Sequence, residues 1–152
     1  MVDRLAAARA AAESVPDPEL PAVTIADLGI LRDVALRADG RAEVTITPTY
    51  SGCPAMVVIT LDIARAMAAA GFPDAVVRTV LAPAWTTDWL TLAAHRKLAN
   101  AGIAPPRRAP PPACPLCGSA ETETISAFGA TACKALHRCL SCREPFEAFK
   151  CH

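Results

Sequence analysis

Hydrophobic positions recur with helical and strand periods through the first hundred residues, then give way to proline and cysteine. Leu5, Ala8 and Ala12 share one face of a helix predicted over Asp3–Ser14. That helix must end before VPDPELP, where Pro16, Pro18 and Pro21 remove donors and restrict their neighbours. Gly29 in TIADLGI leads into a strand over Leu31–Arg37. The turn ADG, Ala38–Gly40, then predicts a hairpin into a second strand, Ala42–Thr47. A helix is expected over Pro54–Ala70, with Ile59, Ile63, Met67 and Ala70 on one stripe and Gly71 and Pro73 as stop signals. A third strand, Ala75–Val80, and a last helix, Thr87–Asn100, complete the pattern.

The order helix, strand, strand, helix, strand, helix makes the fold class α/β, a small mixed sheet with helices packed on it. Its expected core is Leu28, Val34, Val44, Ile46, Ile59, Ile63, Val76 and Val80. Residues 104–113, APPRRAPPPA, hold five prolines and read as a semi-rigid spacer. The expected division is therefore residues 1–103, a linker over 104–113, and a second module over 114–152.

Composition changes this picture in one respect: six of the seven cysteines fall in residues 114–152. Cys114 and Cys117 in CPLCG, and Cys139 and Cys142 in CLSC, form two Cys-x-x-Cys pairs with 21 residues between them. Each pair makes a tight knuckle, and two facing knuckles complete a tetrahedral thiolate site. Four thiolates favour zinc first and iron or an iron–sulfur cluster second. The metal would also supply a core, because Ile125, Phe128, Leu136, Phe146 and Phe149 are few for an independent module. The module is thus zinc-ribbon-like. Cys133, His137, Cys151 and His152 are left over as additional ligands or as packed side chains. The first two would share a face on a helix.

Charge narrows the function. Residues 1–100 carry nine basic and eleven acidic side chains, and residues 101–152 carry six and four, which leaves no footprint for nucleic acid. No apolar run is long enough to span a membrane, and with Arg9 inside it the N-terminal alanine-rich stretch reads as a short amphipathic helix rather than a signal peptide. A cytoplasmic setting is expected, where paired cysteines bind metal more often than they form disulfides.

The seventh cysteine, Cys53, stands apart in TYSGCPAM, directly before the proline that opens the second helix. A helix N-terminus lowers the pKa of a nearby thiol, which suits a nucleophile or a transient soft-metal ligand. The alternative is a small buried residue at a cramped corner, with Thr49 or Ser51 capping the helix. Asp17 and Glu19, and Asp27 beyond them, either approach Cys53 or cap local turns. His95 is the only histidine in the first hundred residues, so no Cys–His catalytic arrangement is evident. Trp85 and Trp89 read equally as core or as a docking surface.

VPDPELP, IADLGI and ITPTYSGCPAM make residues 1–103 resemble the metal–sulfur cluster biosynthesis domain of SufT-like proteins. That resemblance implies a compact α/β fold and a part in maturing iron–sulfur proteins. It carries the family's reactive-looking cysteine onto Cys53, its threonine onto Thr49, and its acidic element onto Asp17, Pro18 and Glu19. Over the whole chain, LAPAWTTDWL, CPLCGS, ISAFGATACKALHRCLSC and EPFEAFKCH are similar to a narrower family of phenylacetate-degradation proteins. This second resemblance implies an accessory factor for a phenylacetyl-CoA oxygenase system, with the reductase or the diiron oxygenase component as protein partner. It also implies Cys114, Cys117, Cys139 and Cys142 as metal ligands. The chain lacks the paired Glu and Glu-x-x-His motifs of a diiron centre and any glycine-rich dinucleotide loop, so a non-catalytic role is expected. The competing expectation is a structural adapter whose tail is a purely structural zinc ribbon.

Overall fold

The computed structural model describes residues 3–50, 52–107 and 111–150. Ser51, Cys151 and His152 lie outside them. Two compact units divide between Thr91 and Leu92.

In the first unit, α1 (Arg4–Glu13) is opened by Asp3, whose carboxylate accepts from the Leu5 amide at 3.0 Å. Ala8 and Ala12 are fully buried. β1 (Leu31–Leu36) and β2 (Ala42–Ile46) pair antiparallel. Their loop closes by Arg37 N–H to Arg41 O at 2.8 Å, with Gly40 in the left-handed region at φ 83°. From β2 the chain crosses through α2 (Ala55–Ala69) to β3 (Val76–Thr79), which pairs parallel with β2. The sheet order is β1-β2-β3, a mixed sheet as the patterning implies.

The buried stripe of α2 is Ala55, Ile59, Ile63 and Met67. It shares the first unit's interior with Leu28, Val34, Val44 and Ile46, together with Val23, Ile25 and Ile30 from the segment before β1. Val76 and Val80, expected in the core, are only half-buried. The physical reason is position: β3 is an edge of the sheet, with β2 on one side only.

The helix expected over Thr87–Asn100 is broken. Thr87–Trp89 form one 3-10 turn, Leu90 is extended with ψ 134°, and α3 runs from Leu92 to Asn100. Trp85 donates its indole N–H to Leu28 O at 2.8 Å. A Cβ at Gly29 (φ 75°) would lie 2.5 Å from Trp89 Cβ. Arg32 covers the Trp89 ring at 3.7 Å from its centroid. Both tryptophans therefore anchor on residues 28–32, and this packing overrides the helical pattern.

α3 belongs to the second unit, where β4 (Ile103–Ala104), β5 (Thr122–Ser126), β6 (Lys134–Cys139) and β7 (Pro145–Phe149) form a sheet ordered β4-β7-β6-β5. Ala104 is thus a sheet residue, although it opens the stretch that reads as a spacer. β4 pairs parallel with β7, and the other pairs are antiparallel. One core cluster of this unit is Ala104, Cys114, Cys139, Phe146 and Ala148, with Cys142 packed against it, and Leu98 and Phe149 are also buried. Ile125 and Phe128, expected to contribute, are 51% and 67% exposed.

Candidate functional site

Two features of the molecule carry chemistry. The first is the thiol cluster. The sulfurs of Cys114, Cys117, Cys139 and Cys142 all lie within 4.8 Å of one another. Cys114 Sγ is 3.8 Å from Cys142 Sγ, and Cys117 Sγ is 3.5 Å from Cys139 Sγ. Tetrahedral zinc with bonds of about 2.3 Å requires sulfurs about 3.8 Å apart, so the set fits the ion.

In both knuckles a backbone amide reaches the first sulfur, two residues on in one and three in the other. Leu116 N–H donates to Cys114 Sγ and Cys142 N–H to Cys139 Sγ, each at 3.4 Å. A residue with positive φ follows each pair, Gly118 at 79° and Arg143 at 70°. The hydroxyls of Ser119 and Ser141, 2.8 Å apart, tie the knuckles together. Amides from Cys142 and Ser141 bring the Cys139 thiol down to about 6. The Glu144 amide also favours the Cys142 thiolate. Desolvation and the sulfurs of Cys139, Cys114 and Cys117 outweigh it and push that thiol up to about 12. Four sulfurs this close cannot all be ionised without a cation among them, whereas a divalent ion inverts that repulsion.

The remaining candidates of this unit sit elsewhere. His137 lies in a strand, not on a helix, so the helical spacing expected with Cys133 does not arise. Its Nδ1 is 3.3 Å from Thr124 Oγ1, its ring stacks on Phe146, and desolvation lowers its pKa. Cys133 Sγ is 3.0 Å from Thr131 Oγ1. Neither belongs to the four-thiol group.

The second feature is Cys53, half-buried on the loop that enters α2. Its amide donates to Tyr50 O at 3.2 Å, and its carbonyl accepts from Met56 N–H at 3.3 Å. Pro54 occupies the cap position rather than the first helical one and makes no side-chain capping hydrogen bond. The Thr49 hydroxyl instead acts on the thiol, favouring its ionised form.

The expectation of a lowered thiol pKa is overturned. Burial raises it, opposed by the Ala55 amide and the Thr49 hydroxyl, and the negative charges of Glu19 and Asp17 raise it further. The Thr49 hydroxyl, Glu19 and Asp17 thus all bear electrostatically on one sulfur, which favours its protonated form. Asp17 also has a structural task, because its carboxylate accepts from the Glu19 and Leu20 amides at 2.8 and 2.9 Å. Asp27 serves its own turn through a reciprocal pair of hydrogen bonds with Thr24, at 3.0 and 3.1 Å.

This division matches known proteins. Residues 5–81 fit the family model for iron–sulfur cluster assembly proteins, and residues 101–150 fit that of the PaaD zinc beta ribbon domain. An iron–sulfur assembly domain joined to a zinc ribbon is thus the class. An Escherichia coli (strain K12) protein, provisionally named as a subunit of 1,2-phenylacetyl-CoA epoxidase, is 49% identical over 144 residues, covering 90% of this chain and 87% of that protein. The chain belongs to the PaaD family. The Fe–S protein maturation auxiliary factor YitW of Bacillus subtilis (strain 168) is 39% identical over 79 residues, covering 51% of this chain and 76% of that one. A crystal structure of a DUF59 domain from Bacillus anthracis superimposes with a TM-score of 0.57 at 29% identity, covering 62% of this chain and 91% of that one.

Proposed function

We propose that this protein is an accessory, non-catalytic factor for assembling or maturing the iron–sulfur and diiron components of a phenylacetyl-CoA epoxidase system. Cys53 is the transient ligand for the metal or cluster in transit, and the four-thiol ribbon is its resident zinc module. What supports this reading is that the Thr49 hydroxyl and the negative charges of Glu19 and Asp17 all bear on the Cys53 thiol. A sulfur that is protonated at rest releases its proton to water as a soft cation binds it. The carboxylates disfavour the bare thiolate and favour the same sulfur once a cation is bound. Such a site accepts metal and releases it, as transit requires, whereas a closed four-thiolate site retains it.

The relatives support the setting: one is named for the epoxidase and one for maturation of Fe–S proteins. On this reading the factor works in the cytoplasm, on the reductase or the diiron oxygenase component. Replacement Cys53→Ala in vivo leaves the protein folded and lowers the iron and acid-labile sulfide of the co-expressed reductase. A client with full iron and sulfide in that strain removes the role assigned to Cys53. The relative's name, as part of the epoxidase itself, favours a second reading, a structural adapter. That reading requires stoichiometric co-purification with the oxygenase and indifference to Cys53→Ala.

A further inference from the structure

The four thiols of the ribbon are not equally placed. Cys117 is exposed and Cys142 half-buried, whereas Cys114 and Cys139 are 2% and 0% exposed. The exposed residue faces a fully buried one, since Cys117 Sγ lies 3.5 Å from Cys139 Sγ across the gap between the knuckles. Ser119 stands two residues after Cys117, and Ser141 two residues after Cys139. Their hydroxyls meet at 2.8 Å, so protein as well as an ion holds this pair of cysteines together. An exposed thiolate is the natural point of attack for an oxidant, and a second sulfur within reach turns the product into a disulfide.

We propose that the ribbon is a redox switch: a hydroperoxide oxidises Cys117, Cys139 closes a disulfide on it across the knuckles, and the ribbon gives up its ion. In the first step the Cys117 sulfur attacks one peroxide oxygen. The O–O bond breaks, an S–OH group forms, and the other oxygen leaves and takes up a proton. In the second step the Cys139 sulfur attacks the Cys117 sulfur. The S–O bond breaks, the S–S bond forms, and the hydroxyl leaves as water with a second proton. Each sulfur loses one electron, and the peroxide gains both. Only Cys114 and Cys142 are then left as ligands, and two thiolates do not close a tetrahedral site. A thiol reductant reverses the change. The inference rests on the zinc ribbon and not on the transit role of Cys53.

The test uses the full-length zinc-loaded protein and hydrogen peroxide, with no client or iron, so its failure is separate from failure of the maturation role. About one equivalent of peroxide should release about one zinc per chain, read with a chromogenic chelator. Peptide mass mapping should then find Cys117 joined to Cys139, and dithiothreitol with added zinc should restore the bound ion. Cys53→Ala should release zinc to the same extent, because the switch lies wholly in the ribbon. The proposal is overturned if zinc stays bound while peroxide is consumed, or if zinc leaves without a bond between Cys117 and Cys139. Zinc that dithiothreitol does not restore marks oxidation past the disulfide and also overturns it. Release that disappears in Cys53→Ala does so equally, since Cys53 would then be the thiol that meets the oxidant.

Discussion

Cys139 and Cys53 each receive a backbone amide at sulfur, yet their acidities move in opposite directions. At Cys139 the amides of Cys142 and Ser141 and the neighbouring thiols outweigh desolvation. At Cys53 burial outweighs one amide and one hydroxyl, and two carboxylates add to it. A helix entrance or a nearby N–H does not by itself activate a thiol; the balance of donors, charges and burial decides. On the proposed function, the same comparison separates a site that holds an ion from one that lends a single ligand.

The largest expected effect removes the ribbon's metal. Cys139→Ser should abolish zinc binding and melt the second unit, a loss on the order of 10 kcal/mol of metal-coupled folding energy. NMR of the full chain then shows dispersed signals for residues 3–90 and collapsed signals for 111–150. Dispersed signals throughout would show that the small core stands without metal.

Next in size is Gly29→Ala, which meets Trp89 and forces a side chain into the left-handed region. It should destabilise the first unit by about 3 kcal/mol, read as a lower denaturation midpoint with zinc content unchanged. A smaller change sharpens the Cys53 half of the comparison. Only the thiolate is alkylated, and a raised pKa moves the rise in rate to higher pH than for an ordinary thiol. Wild-type Cys53 should therefore react with iodoacetamide more slowly than free cysteine at pH 8. Removing a negative charge with Glu19→Gln should lower the thiol pKa and speed the reaction.

The smallest effect lies between the two knuckles themselves. Arg143 holds the left-handed position that Gly118 holds in the other. Arg143→Gly should raise stability by about 1 kcal/mol, seen as a higher melting temperature of the zinc-loaded ribbon.

Much of this was legible in the sequence where the causes are local. The stripe Ile59, Ile63 and Met67, the turn ending at Gly40 and the two Cys-x-x-Cys pairs each state their structure within a few residues. What was not legible depends on distant neighbours. The pattern from Thr87 to Asn100 reads as one helix because nothing in it shows that Trp89 packs on Gly29. Ala104 reads as spacer because its partner strand lies about forty residues on, at Ala148. The acidity of Cys53 was misread for the same reason: the helix start is local, but the burial and charges that oppose it come from the fold.

The division of labour between a resident ribbon ion and a passing Cys53 ion is tested most directly by metal and acid-labile sulfide analysis of protein purified without oxygen, for wild type and Cys53→Ala side by side. The account predicts one zinc per chain in both, with iron and sulfide below one equivalent in the wild type and absent from the variant. Iron and sulfide that persist in Cys53→Ala, in place of zinc, would put the cluster in the ribbon and contradict it.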